Sequence, residues 1–173
     1  HPFDENHIIG LGMENSTVKL SLFDVTNVNA PTEIEKYIVE GGWTYSQALQ
    51  DPKAFLFDKQ KELLIIPISI TQYGIITPGT IEPGGEGLKV PAEGYYWEGA
   101  YVFKLTLKDG FELRGGITQQ ENTTQPFPYY GMDYNLNINR ALYIGNTLYT
   151  VSNARVQLNS LDNLALIATV DLN

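Results

Sequence analysis

The chain contains no cysteine and only two histidines, His1 and His7, among its 173 residues. Without cysteine there is no disulfide, no thiol nucleophile and no thiolate metal site, and the usual marker of an oxidising compartment is missing as well. Both imidazoles sit at an end expected to fray, so no Ser-His-Asp arrangement can be assembled and triad hydrolases are set aside. Their spacing gives no metal-binding pattern, and His7 reads simply as the start of a strand. Positive charge is scarce too: 11 basic residues stand against 20 acidic ones, for a net charge of −9. The basic residues are scattered singly, which leaves nothing to track a phosphate backbone and excludes nucleic acid as a partner.

No run of about 18 apolar residues occurs, so no transmembrane segment is expected. The start His1-Pro2-Phe3-Asp4-Glu5 has neither the basic nor the apolar region of a signal peptide. A first residue other than methionine reads as a mature or trimmed product. Helical periodicity is nearly absent: only Ser46 to Gln50 reads as helix, one connecting turn with Ser46 as its N-cap.

What remains is β structure. Hydrophobic residues make up 43% and charged residues 18%, enough apolar mass for one packed domain. Val18, Leu20 and Leu22 point one way while Lys19 and Ser21 point the other, and Tyr101, Phe103, Leu105 and Leu107 alternate with Val102, Lys104, Thr106 and Lys108. Two runs, Glu62 to Ile68 and Leu164 to Val170, are apolar at successive positions, as expected for strands covered on both faces. Lys108-Asp109-Gly110 and Gly145-Asn146 supply residues that tolerate positive φ where hairpins need them.

The strands sort into groups of four. Ala54 to Asp58, Glu62 to Ile70, Tyr101 to Lys108 and Phe111 to Thr118 form one set; Arg140 to Ile144, Thr147 to Ser152, Arg155 to Ser160 and Leu164 to Leu172 form another. His7 to Met13, Thr17 to Val25 and Thr32 to Val39 match the last three strands of a preceding set. Repeated four-stranded antiparallel units predict an all-β chain, a partial β-propeller of about two and three-quarter blades. The alternative is a β-sandwich, which about eleven short strands also suit. Residues 1–173 are then one unit, the C-terminal part of a propeller domain. Residues 1–40 end one blade, 41–120 form the second with an insertion at 72–98, 121–139 form an inter-blade insertion and 140–173 form the last blade. Such a partial ring cannot close, so the reading expects further blades upstream of His1 and self-association of the isolated chain. Pro67 is an internal objection, since it removes a ladder donor from a central strand, and a bulge or the onset of the insertion is expected there.

Several stretches resemble a known group. Leu20-Ser21-Leu22-Phe23-Asp24-Val25-Thr26-Asn27 before Ala30-Pro31, then Tyr45-Ser46-Gln47-Ala48-Leu49, Asp51-Pro52-Lys53-Ala54-Phe55-Leu56, and Arg140 through Ser152 are similar to secreted archaeal and bacterial proteins with a C-terminal β-propeller domain. The resemblance implies a secreted or cell-surface, extracytoplasmic location and a domain longer than this chain. It carries over no catalytic residue.

The residues themselves offer little catalytic chemistry. Asp24, Asp58, Asp109 and Asp162 read as turn formers whose carboxylates accept local backbone bonds. A glycosidase would need two such groups brought together, and no motif says that they are. Calcium has no Asp-x-Asp-x-Asp loop behind it, and no other metal, cofactor or catalytic residue is expected. Pro83-Gly84-Gly85-Glu86-Gly87 lacks the Lys-Ser/Thr pair of a phosphate loop. Asn15-Ser16-Thr17 and Asn122-Thr123-Thr124 permit N-glycosylation at Asn15 and Asn122. Aromatic residues carry the binding expectation: Tyr95, Tyr96 and Trp97 close the first insertion, and Phe127, Tyr129, Tyr130 and Tyr134 lie in the second, where exposed rings would form a platform for a sugar or a protein. The expected function is a non-enzymatic surface module that binds protein or polysaccharide. The alternatives are a carbohydrate-active enzyme whose carboxylate pair is completed by other blades, and an architectural envelope domain.

Overall fold

The computed structural model describes residues 1–72, 95–121 and 132–172. Twelve strands are assigned there, all paired antiparallel. The first sheet holds β1 (His7–Glu14), β2 (Thr17–Asp24) and β3 (Thr32–Ile38). The second holds β4 (Trp43–Tyr45), β5 (Leu56–Asp58), β6 (Leu63–Gln72), β7 (Tyr95–Thr106) and β8 (Gly110–Ile117). The third holds β9 (Arg140–Ile144), β10 (Thr147–Val151), β11 (Arg155–Ser160) and β12 (Leu166–Asp171). In the first and third sheets neighbours in sequence are neighbours in the sheet; in the second, β4 and β5 both pair with the same edge of β6, which is followed by β7 and β8. A sandwich would interleave successive hairpins between two sheets, whereas here each hairpin stays in its own sheet, and the architecture is a partial propeller.

Turn chemistry sets the hairpins. Asn15 and Ser16 take φ of 49° and 67° between β1 and β2, the left-handed pair that matches strand twist in a two-residue loop. The expected helical turn is a single 3-10 turn, Gln47–Leu49, capped by Ser46, whose side chain accepts from Ala48 N at 3.2 Å. A second such turn, Pro52–Ala54, is capped by Asp51 and takes up Ala54, so the strand expected from Ala54 begins only at Leu56.

The three sheets stack in chain order, with the second in the middle. Alternation along β6 sends Leu64, Ile66, Ile68 and Ile70 into a core against Val18, Leu20 and Leu22 of the first sheet. It sends Leu63 and Ile65 the other way, against Ile138, Ala141 and Leu148 of the third. The expectation of a strand buried on both faces therefore holds for β6, where Leu63 through Ile68 are all buried. It does not hold for β12. That strand is last in the sheet order and all six of its residues are exposed, because an apolar composition suits a pleated strand whether or not anything covers it.

One irregularity marks the three sheets as repeats of each other. In each, the last strand skips one residue against its partner: Ile34 opposite Leu22/Phe23, Arg114 opposite Val102/Phe103, Ile167 opposite Leu158/Asn159. A bulge in the same strand of each sheet is what repeated blades predict and a sandwich does not.

Pro67 needs no bulge. The β6–β7 register runs unbroken from Leu63 to Gln72. Leu105 N bonds Glu62 O at 2.8 Å, which fixes the parity of the ladder and turns the Pro67 nitrogen away from β7. On its other edge β6 pairs with β5 at Leu63–Ile65 and with β4 at Ser69–Thr71. Pro67 falls in the gap between them, where the missing N–H has no ladder to break.

Candidate functional site

The register of the second sheet brings the two insertions to one end. β6 finishes at Gln72 opposite Tyr95, where β7 begins, and β8 finishes at Ile117 opposite Ala100 of β7. The chain therefore leaves for its first and second insertions from the same end of the sheet. Residues 95–98 and Gln72, expected in the first insertion, are strand, because β6 and β7 extend as one hairpin beyond the point where the apolar alternation fades.

On the face turned toward the third sheet, the pairing builds the surface row by row. The rows Leu56–Ile65–Val102 and Pro67–Ala100–Ile117 are apolar. The next row toward the insertions is Tyr45–Ser69–Glu98, and the one beyond it is Trp43–Thr71–Tyr96. Polarity thus changes within one face over a single step. Thr44, between the two exposed aromatics of β4, points the opposite way and accepts from Val18 N of the first sheet at 2.5 Å.

Glu98 is the centre of this arrangement. It is 5% exposed, and its Oε1 accepts from Ile138 N at 2.7 Å. Its Oε2 is buried without a hydrogen-bond partner. Burial pushes the carboxyl up to about 7, against the pull of the Ile138 amide and of nearby Gln120. The Gln120 amide itself donates to Asp133 O at 2.9 Å and Asn137 Oδ1 at 3.0 Å. Gln119 donates to Thr150 O at 2.9 Å, and its own buried Oε1 is unpartnered. Glu98, Gln119 and Gln120 thus tie the stems of the two insertions to each other and to β10.

A cavity of about 80 Å³ opens on this row, lined by Tyr45, Gln47, Ser69, Glu98, Asn137 and Asn139 together with Pro67, Ile68 and Ile138. Among the described residues every lining side chain other than Glu98 is neutral. Tyr45 is 43% exposed and Trp43 64%. The opposite end of the same inter-sheet space is a larger hollow of about 280 Å³ between Lys61, Leu63, Arg114, Asn146, Leu161 and Asp162. There the bulge aims Arg114 at the third sheet, where it donates to the carbonyls of Leu161 and Asp162.

The residues singled out by sequence fall as follows. Trp97 packs with the core between the first and second sheets, its ring against the strand glycines. A Cβ at Gly99 would stand 2.7 Å from that ring and 2.2 Å from Ile117 O. Tyr96 shares the Glu98 face by alternation, and Tyr95 pairs with Gln72. Tyr134 is 63% exposed on the 3-10 turn Tyr134–Leu136, on the stem of the second insertion. Phe127, Tyr129, Tyr130 and Asn122 lie outside the described residues, and Asn15 is exposed in its turn. The four aspartates sit in local turns: Asp24 accepts from Thr26 N at 2.8 Å, Asp58 from Lys61 N at 3.0 Å and from the Tyr143 hydroxyl, Asp109 bonds Thr106, and Asp162 accepts from Asn146 at 2.6 Å. His1 is held rather than frayed, with its ring stacked on Phe55 and its amine on Ile9 O. Among the described residues no three acidic or imidazole side chains gather to hold a metal ion, and no helix is long and apolar enough to cross a membrane.

Sequence reasoning missed Trp43, Tyr45, Ser69 and Glu98. The alternation Trp43-Thr44-Tyr45 was a signal for a short strand with two rings on one face, but three residues are too few to stand out. Glu98 gave none, since its burial depends on residues 138 and 120.

Residues 1–164 match a family model described as a beta propeller domain. A protein of Archaeoglobus fulgidus is 38% identical over 73 residues, 42% of this chain and 12% of that protein. A protein of Methanocaldococcus jannaschii is 26% identical over 172 residues, 99% of this chain and 20% of that protein. Both are described as uncharacterized, and the chain spans only a minor part of the length of either.

Proposed function

The chain belongs to the beta-propeller domain family, and from that premise we propose that it is a non-enzymatic binding module for a surface protein or polysaccharide, working in an extracytoplasmic setting. Its binding face is the end of the second sheet from which both insertions leave. One observation carries this reading: the two insertion stems converge there and are joined through Glu98 to Ile138 and Gln120 to Asp133 and Asn137. A sheet end from which two long connections depart, with exposed Trp43, Tyr45 and Tyr134 near their stems, has the anatomy of a recognition surface.

A carbohydrate-active enzyme is the second reading, and Glu98 favours it, since a carboxyl near neutrality suits a general acid. Such enzymes need a partner carboxylate about 5 to 10 Å away. Among the described residues Glu98 is the sole carboxylate lining its cavity, so the binding reading stands first.

The test compares the two ends of the sheet. Trp43→Ala and Thr71→Arg are expected to abolish retention on cell-envelope polysaccharide or envelope protein, while Lys61→Glu at the far end leaves it unchanged. Retention lost only with Lys61→Glu, or no retention by the unaltered chain on either material, would overturn the proposal.

A further inference from the structure

Glu98 Oε2 is buried without a hydrogen bond of good geometry, with the Gln120 side chain close enough to draw the carboxyl downward. Beside Glu98, the residues Tyr45, Ser69, Gln47, Asn137 and Asn139 line the same cavity. We propose that the Tyr45–Ser69–Glu98 row is a glycan subsite, in which a neutral sugar places one hydroxyl or hydroxymethyl group in the cavity, donates to Glu98 Oε2, and lays its C–H face on the neighbouring ring of Tyr45. This rests on the binding reading above and names the ligand class for it.

Three features select a neutral glycan. Among the described residues the lining has no lysine, arginine or histidine, so a phosphate, sulfate or uronate would meet Glu98 without compensation from them. A cavity of about 80 Å³ takes a hydroxyl or hydroxymethyl group while the rest of a sugar ring stays at its mouth. Tyr45 lines the cavity and Trp43 stands one row beyond it on the same strand face, and Asn139, whose amide nitrogen donates to Asn153 Oδ1 at 3.0 Å, has its carbonyl oxygen to accept from a second hydroxyl. A hydroxyl both donates and accepts, so it satisfies Glu98 whichever protonation state the carboxyl adopts.

The experiment titrates the full chain by calorimetry with neutral hexasaccharides of glucose, mannose and N-acetylglucosamine, with oligogalacturonate as the acidic arm and a chitosan oligomer as the cationic arm. At least one neutral glycan is expected to bind and the acidic one not to. Glu98→Gln, which turns a donor into the cavity, and Tyr45→Ala are each expected to weaken binding about tenfold or more, the loss of roughly one good hydrogen bond or stacked ring. Lys61→Ala is the control and is expected to bind as the unaltered chain does. Thermal unfolding of each variant separates loss of binding from loss of fold, and Ser69→Val supplies a milder probe if Glu98→Gln unfolds. Binding confined to the acidic or the cationic oligomer, or neutral binding indifferent to both Tyr45→Ala and Ser69→Val, would overturn the subsite. A protein ligand lost with Trp43→Ala but untouched by sugars would overturn it while leaving the binding reading intact. No ligand of either kind would end both.

Discussion

The second sheet buries both of its faces, and the two are built differently. Toward the first sheet the contact is apolar along the whole strand, from Leu64 to Ile70, and is reinforced by aromatic edges such as Tyr37 on Phe103 at 4.9 Å. Toward the third sheet it is apolar only as far as Pro67 and Ala100, then gives way to Ser69, Glu98, Gln119, Gln120 and Thr150. A face that is dry throughout only holds sheets together. A face that changes polarity partway, and leaves two buried oxygens without partners, sacrifices stability at a chosen place, and such places are where binding is to be sought.

The largest effects test the part that the two faces share. Leu64 and Ile65 are adjacent, fully buried and opposed, so Leu64→Ala and Ile65→Ala should each cost about 2 to 5 kcal/mol in denaturant unfolding. Similar losses are expected because both rows are dry. A much smaller loss at Ile65 would mean that the third sheet packs loosely everywhere, and not only beyond Pro67.

The next effect belongs to Glu98 alone. Its ordinary value of 4.5 rises to about 7 in the folded chain, so between those limits the folded state holds a proton that the unfolded state has released. Its contribution to stability is therefore complete below 4.5, falls as pH rises through the window, and is lowest above 7, a total of roughly 3 kcal/mol. Subtracting the pH profile of Glu98→Gln from that of the unaltered chain should isolate this fall. A flat difference would remove the contrast between the two faces.

Smaller effects sharpen it. Thr150→Val takes one of two acceptors from Gln119, whose amide keeps the Thr150 carbonyl, and about 1 kcal/mol is expected in the same unfolding assay. Lys36 reaches Glu14 only at 3.9 Å from an exposed position on the first sheet, and Lys36→Ala should cost no more than about 0.5 kcal/mol.

The first of these faces was legible in the sequence and the second was not. Period-two alternation along Val18-Leu20-Leu22 and the unbroken run at Leu63 to Ile68 identify strands and core without any knowledge of partners, since burial there follows from composition. The four-strand grouping follows from turn residues such as Gly145-Asn146. Trp97 was drawn with its neighbours toward a binding role because sequence cannot tell which side of a strand a ring takes until the strand's start is known. Once β7 begins at Tyr95, parity sends Trp97 to the core and Tyr96 toward Glu98. Glu98 itself was invisible, because a glutamate in a strand reads as solvent-facing until residues forty positions away close over it. The bulge at Arg114 was equally hidden, since the skipped residue carries no signature of its own.

The most direct measurement is a carbon-13 NMR titration of the Glu98 side-chain carboxyl. A midpoint near 7 is predicted, as burial that outweighs the pull of the Ile138 amide and of Gln120 requires. A midpoint near the ordinary 4.5 would mean that water or a charge satisfies Oε2, and would contradict the claim that this end of the inter-sheet space buries an unpaired carboxyl oxygen.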